Sequence, residues 1–414
     1  MDNPPAKHKM ALVLPGGGAR GAYQVGVLKA IAELLPQGVC NPFPILSGTS
    51  AGAINTVVLA SRARRFHVAV QHLEGVWQNF ESHQVYRTDA LTMLKSSLHW
   101  LAAIVLGGTL VGTPKSLLHN EPLRELLSHY IRFPRIQKSI DAGMLDAIAI
   151  TAAGYATARS TSFFQATDEH QEWARTRRAG VKSVLNLDHL MASVAVPLIF
   201  PPVKIRGEYF GDGAMRQATP LSPAVHLGAD RILVIGVRDE SAPPEVDPRQ
   251  PQPFPSLALI AGYMLDTLFM DGLYSDLERL TRINQLLDAA PPHERRNALK
   301  DVRPIDTMVV VPSVDLREIA YEHRKSMPRP VRALLRGIGG RGSNGSRLLS
   351  FLLFEKEYTS RLIELGYCDA LEVRDELRAF VTGADVARLS APDRVSEDLT
   401  GQFRKLDLSG LKEA

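Results

Sequence analysis

At 414 residues, 45% of them hydrophobic, the chain has ample apolar content for a buried core and for more than one structural unit. Two cysteines, Cys40 and Cys368, exclude a disulfide framework and fit a reducing compartment. A formal net charge of +4 is mild, so no nucleic-acid partner is expected. The apolar run after Lys7 and Lys9 is too short for a signal-peptide core, and no apolar run reaches membrane-spanning length. A cytoplasmic protein is therefore expected. No Cys/His cluster has metal-ligand spacing, no repeat of solenoid period occurs, and neither a metal nor another cofactor is expected.

Taken in chain order, Met10 to Leu14 is an unbroken apolar run, as in a strand buried on both faces. The turn Gly16-Gly17-Gly18-Ala19-Arg20-Gly21 follows. Then Tyr23, Val27, Leu28, Ile31 and Leu34 recur at helical spacing up to Pro36. A second strand-like run, Phe43 to Leu46, enters Gly48-Thr49-Ser50-Ala51-Gly52, and Ala51 to Ala60 reads as a helix of small residues. Strand, turn, helix, twice over, begins an α/β sheet with its loops at the carboxyl ends of the strands.

These two turns carry complementary chemistry. Flanking glycines let Ser50 sit exposed on a tight strand-to-helix turn, the setting of a nucleophilic serine. The first turn presents the backbone N–H groups of Gly17, Gly18 and Ala19 at a helix start, suited to holding negative charge, with Arg20 adding a positive field or fixing the loop. Two alternatives stand beside this. Gly16, Gly18 and Gly21 also fit a dinucleotide-binding turn, but that site needs an acid at the end of the next strand, where Leu46 to Ser50 has none. Ser50 can also be read as an ordinary helix N-cap.

Trp77 to Val85 is mixed, and Leu98 to Val111 is nearly all apolar or glycine: a buried helix, an acyl-pocket wall or a lid. Asn120 is read as a helix cap, with Pro122 in the first turn and Leu123, Leu126, Leu127 and Tyr130 on one face. Leu145 to Ala153 reads as a buried strand. Leu198 to Val203 and Ile205 to Phe210 read as two short strands leading into Gly211-Asp212-Gly213-Ala214. There Asp212 is the candidate base, and a plain Asp-Gly hairpin turn is the alternative. A helix over Pro220 to Leu227 and a buried strand over Arg231 to Val237 continue the alternation. A Ser-His-Asp triad would draw its histidine from His226, His293 or His323, none of which has a glycine-flanked or strand-end setting.

Beyond residue 238 the texture changes. Residues 239–256 carry six prolines and read as a linker. Leu257 to Leu287 is a long helical pattern ended by Pro291-Pro292, and Thr307 to Val311 is a strand expected to return to the main sheet. Asp315 to Arg347 is rich in arginine, and Val331 to Ile338 can form a short helix with an apolar face flanked by Arg329, Arg332 and Arg336. Peripheral contact with an anionic membrane is expected there. Leu348 to Phe380 is helical, and a polar tail occupies 386–414.

The glycine turn at Gly16 to Gly21, the Gly-x-Ser-x-Gly at Gly48 to Gly52 and the Asp-Gly-Ala at Asp212 to Ala214 resemble, in order and spacing, the motifs of the patatin-like phospholipases. These are lipid acyl hydrolases that use a Ser–Asp dyad. The resemblance covers roughly residues 9–238, which would form the catalytic domain, with 257–385 a mostly helical extension. It implies a mainly parallel sheet flanked by helices, Ser50 as nucleophile, Asp212 as proton acceptor and Gly16 to Gly21 as the oxyanion hole. The implied substrate is a phospholipid or lysophospholipid. Acyl transfer to another acceptor shares every residue, and an idle dyad on a membrane-surface regulatory protein is the reading from a different class.

Overall fold

The apolar runs of the sequence become the centre of a ten-stranded mixed sheet in a computed structural model of the chain, which describes residues 9–89, 98–99, 116–238, 254–291, 302–340 and 345–383. Strand β1 (Met10–Leu14) leads through the glycine turn into α1 (Gly21–Leu34), and β2 (Ile45–Thr49) leads into α2 (Ala51–Ser61). Helix α3 (Phe66–Trp77) and the single turn α4 (Ser82–Val85) follow. Helices α5 (Glu121–Tyr130) and α6 (Pro134–Asp141) precede β3 (Ala147–Gly154) and β4 (Ser160–Ala166). Next come β5 (Trp173–Ala174), β6 (Arg178–Lys182), α7 (Leu187–Ser193), β7 (Val203–Ile205), β8 (Glu208–Asp212), α8 (Ser222–His226) and β9 (Arg231–Ile235). The C-terminal part supplies α9 (Leu257–Ala289), β10 (Asp306–Val310), α10 (Leu316–Glu322) and α11 (Arg329–Gly337). It ends with α12 (Ser346–Leu352), α13 (Lys356–Glu372) and α14 (Arg374–Thr382).

Across the sheet the order is β10-β9-β1-β2-β3-β4-β6-β5. The first five strands of that order run parallel, and every residue of β1, β2, β3 and β9 is buried, which is why these strands show no polar alternation. Beyond β3 the sheet is mixed: β3 pairs antiparallel with β4 and β8, and β5 with β6. One further parallel pair, β4 with β6, lies in that mixed half, so the unbroken parallel run is the half that carries the first two turns.

Strand β10 pairs parallel with β9, and Tyr23 of α1 donates to Asp369 of α13 at 2.9 Å, so the C-terminal part is built onto the sheet. Helix α9 is one continuous element and, by length and composition alone, is long and apolar enough to cross a membrane. Asp266, Asp271 and Asp276 interrupt its apolar sequence, which is why no uninterrupted apolar run marks it. Here Leu265, Leu273 and Leu277 of this helix lie in the core.

Two local readings are corrected and one alternative falls away. Leu198 to Val203 is not a strand: the chain turns at 197–199, where Leu198 holds a positive φ of 65°, and β7 begins only at Val203. The alternative of a plain Asp-Gly hairpin is ruled out: the hairpin turn falls at Arg206-Gly207, both at positive φ, and Asp212 ends β8. Asn120 occupies the N-cap position of α5 but its side chain makes no capping bond. The apolar face of α11 is also accounted for: Val331 and Leu335 are buried in the core, leaving Arg329 and Arg336 exposed. Most of Leu98 to Val111, most of the proline-rich 239–256, His293, Arg341 and the tail from 384 lie outside the described residues.

Candidate active site

Ser50 stands between β2 and α2 with φ 52° and ψ −126°, a conformation that costs a non-glycine residue on the order of 1–3 kcal/mol. Two features hold it there. Gly52 lies against the carbonyl of Leu14, and any Cβ at this position would fall 2.0 Å from that oxygen, so the turn closes this tightly only with glycine. The Ser50 N–H donates to Ser193 Oγ at 2.9 Å, and Ser193 Oγ donates to the Thr151 carbonyl at 2.7 Å. Ser193, at the end of α7, therefore splints the strained turn to β3. No sequence pattern marked it, because its role depends on a contact across 143 positions.

The sheet register brings Asp212 to the same place. Strand β2 pairs with β3 as far as Thr49 opposite Thr151. The other edge of β3 is occupied by β4, and β8 takes the edge that β2 vacates, with Asp212 opposite Ala152, the next residue along. Chain ends from β2 and β8 thus meet head to head, and Ser50 and Asp212 face each other at the junction.

Asp212 is 1% exposed. Its Oδ1 accepts the Ala214 N–H at 2.9 Å, while Oδ2 is buried and has no completed hydrogen bond, leaving a free acceptor beside the Ser50 hydroxyl. Burial drives the carboxyl pKa up to about 7, against the opposing pull of the Ser50 hydroxyl and the Ala214 amide. An ordinary aspartate is a poor base toward a hydroxyl; one that titrates near neutrality is matched to the task.

The glycine turn lies beside this pair. Gly18 has φ +56°, and a Cβ there would sit 2.3 Å from the Phe351 carbonyl of α12. Gly16 and Gly17 are buried, and the first bond of the turn runs from the Arg20 N–H to the Gly17 carbonyl at 3.1 Å. The amides of Gly17, Gly18 and Ala19 therefore precede the helical ladder, whereas those of Arg20 and Gly21 are already engaged in it. Of the six positions marked in the sequence, only the first four have amides outside the ladder.

Arg20 fixes the loop. Its guanidinium, 2% exposed, pairs with Asp266 of α9 at 3.0 Å, donates to Ser350 Oγ at 2.7 Å and lies 3.9 Å over the Phe351 ring. Asn55 of α2 ties the two turns together: its Nδ2 donates to the Gly21 carbonyl and to Gln24 Oε1, and its Oδ1 accepts from Trp77 Nε1 at 2.8 Å.

A narrow apolar cleft opens where Gly18 and Ser50 meet. Ile54, Trp77, Phe80 and Phe200 line one part, and Leu265, Phe351, Leu352 and Phe354 of the C-terminal region line another. Gly48, Gly213 and Ala214, next to Ser50 and Asp212 in the chain, are buried. No histidine lines the cleft among the described residues. His226 stacks on Trp173, ring centroids 4.9 Å apart, and His323 sits at the end of α10.

The sequence model of the patatin-like phospholipases matches residues 12–225. No curated protein sequence matches the chain. Among solved structures, human GIVD cytosolic phospholipase A2 in complex with methyl gamma-linolenyl fluorophosphonate is similar at 12% identity and a TM-score of 0.41, over 93% of this chain and 60% of that one. VipD from Legionella pneumophila is similar at 14% identity and a TM-score of 0.31, over 89% of this chain and 67% of that one. The type III effector ExoU is similar at 15% identity and a TM-score of 0.25, over 97% and 85%.

Proposed function

This chain belongs to the patatin-like phospholipase family, and from that premise we propose that it is a serine acyl hydrolase that cleaves fatty acyl esters of phospholipids or lysophospholipids through an acyl-Ser50 intermediate. The observation that carries the reading is the buried Asp212 carboxyl, pushed to about 7, with its free oxygen turned to Ser50 at the mouth of an apolar cleft.

The acyl chain lies in the cleft and presents its ester carbonyl to Ser50. The Ser50 Oγ attacks the carbonyl carbon as its proton passes to Asp212 Oδ2. The tetrahedral oxyanion is held by the amides of Gly17, Gly18 and Ala19, where one lost donor costs roughly 3 kcal/mol. Collapse breaks the bond to the alcohol oxygen, which takes the proton from Asp212. Water, deprotonated by the same carboxylate, then releases the fatty acid and restores Ser50. Apolar walls favour this sequence twice, by binding the chain and by keeping Asp212 basic.

Release of fatty acid from a panel of phospholipids, lysophospholipids and triacylglycerols, by the natural chain and by Ser50→Ala, tests the reading. Fatty acid should appear with the natural chain alone. Equal release by both proteins would reject Ser50 as nucleophile, and transfer of the acyl group to an added alcohol in place of water would make the protein an acyltransferase.

A further inference from the structure

A second recess, open to solvent, lies beside the segment that follows Asp212, where Ala214, Met215, Arg216 and Gln217 line it. Arg175, Arg177, Arg178, Arg216 and Arg279 line it, together with Gln217, and no carboxylate lines it among the described residues. None of the five arginines closes an ion pair with a described carboxylate. Asp276 of α9 is buried and accepts the Leu221 N–H at 3.0 Å; burial has the larger effect and raises its pKa, while Arg178 and Arg279 pull it down. Arg178 is anchored by donating from Nη1 to Thr219 Oγ1 at 2.7 Å, and its buried Nε has no partner. The crowding of positive charge is felt next door: Arg175 and Arg178 add to burial in suppressing protonation of His226.

Five guanidinium groups beside one buried carboxyl, Asp276, leave an excess of positive charge among the described residues, and planar forks of this kind match the oxygens of phosphate groups two at a time. The recess is also joined to the reaction centre. Gln217 Oε1 accepts from Thr49 Oγ1 at 2.6 Å, and Thr49 immediately precedes Ser50. Ala214, whose amide holds Asp212, lines the recess as well. The dyad thus stands between an apolar cleft and a cationic recess, which is the polarity of a lipid with an anionic head.

We propose that the five-arginine recess binds the phosphate groups of the substrate headgroup, so that the preferred lipid carries a phosphorylated, multiply anionic head. The assignment of the ligand as substrate rests on the Ser50 hydrolase reading; the phosphate site itself does not. Binding of inorganic tripolyphosphate, followed by calorimetry, reads the site without any turnover. It should bind the natural chain and Ser50→Ala equally. The triple change Arg175→Gln, Arg178→Gln, Arg216→Gln should weaken it at least about tenfold, the loss expected of one charge-assisted contact. Arg178→Lys, which keeps charge and loses the fork, should weaken it less and controls for misfolding of the triple variant.

Vesicles separate the sources of phosphate. Vesicles containing phosphatidylinositol bisphosphate should compete with tripolyphosphate, and phosphatidylserine vesicles of equal total charge should compete poorly. In hydrolysis, the ratio of kcat/KM for a phosphorylated-head lysolipid to that for a monoacylglycerol should fall at least about tenfold in the triple variant. No tripolyphosphate binding, or binding unchanged in the triple variant, overturns the site. Tripolyphosphate binding without vesicle competition makes the ligand a free phosphate compound and overturns the headgroup assignment, and equal competition by phosphatidylserine overturns it in favour of general membrane attraction. Hydrolysis retained by Ser50→Ala overturns the hydrolase reading while leaving phosphate binding intact.

Discussion

The two walls of the apolar cleft are built by different means. One, from residues 16–54, is set by backbone: a positive φ at Ser50, a glycine pressed on Leu14, and amides left ahead of a helix. The other, Leu265 with Phe351, Leu352 and Phe354, is set by packing and is tied to the first through Arg20. The difference teaches that the candidate reacting groups sit within short stretches, whereas half of the cleft's shape comes from a region more than two hundred residues away. Changes in the first wall should remove chemistry, and changes in the second should alter selectivity or stability.

The largest effects should fall on the dyad. Ser50→Ala is expected to reduce ester hydrolysis to background, and Asp212→Asn to slow it by about 10²–10⁴, measured as kcat/KM on a soluble acyl ester. The double change should be no worse than Ser50→Ala, because the pair acts as a unit. Asp212→Asn should also stabilise the fold at alkaline pH. The folded carboxyl titrates near 7 and the unfolded one near 4, so the folded state holds the extra proton between those values. Its stabilising effect is complete below about pH 4 and is lost as pH rises to about 7. Thermal unfolding from pH 4 to pH 8 should show that decline in the natural chain and a smaller one in Asp212→Asn.

Next is the seam between the walls. Gly18→Val places a side chain against the Phe351 carbonyl and should cut turnover by about 10²-fold through loss of donor geometry. Asp266→Ala strands the buried Arg20 and should lower stability by about 3 kcal/mol, read by urea unfolding. The smallest effect belongs to the packed wall alone. Leu352→Trp should lower kcat/KM for long-chain esters relative to short ones by about tenfold and leave the soluble short ester little changed, because it shortens the cleft without touching Ser50.

The same contrast explains what was legible in the sequence. Met10–Leu14, the two glycine-bearing turns and the strand at 306–310 were readable because local composition decides them. Ser193, Gln217 and Asp266 were not, since each acts through a contact with residues far away in the chain. The start of β7 was misplaced because Leu198 to Phe200 is apolar for the sake of the cleft, where Ile199 and Phe200 point, and not for a strand. Asp212-Gly213 left a hairpin turn open as an alternative because the reason for its glycine, a close approach to the Thr151 carbonyl of β3, exists only once the sheet is assembled.

The central claim is that buried Asp212 activates Ser50, and the pH dependence of inactivation by a fluorophosphonate tests it most directly. Peptide mapping should place one adduct on Ser50. The inactivation rate should rise along a single limb with an apparent pKa of about 7 and should fall by orders of magnitude in Asp212→Asn. An adduct elsewhere, or Asp212→Asn labelled as fast as the natural chain, would contradict the account.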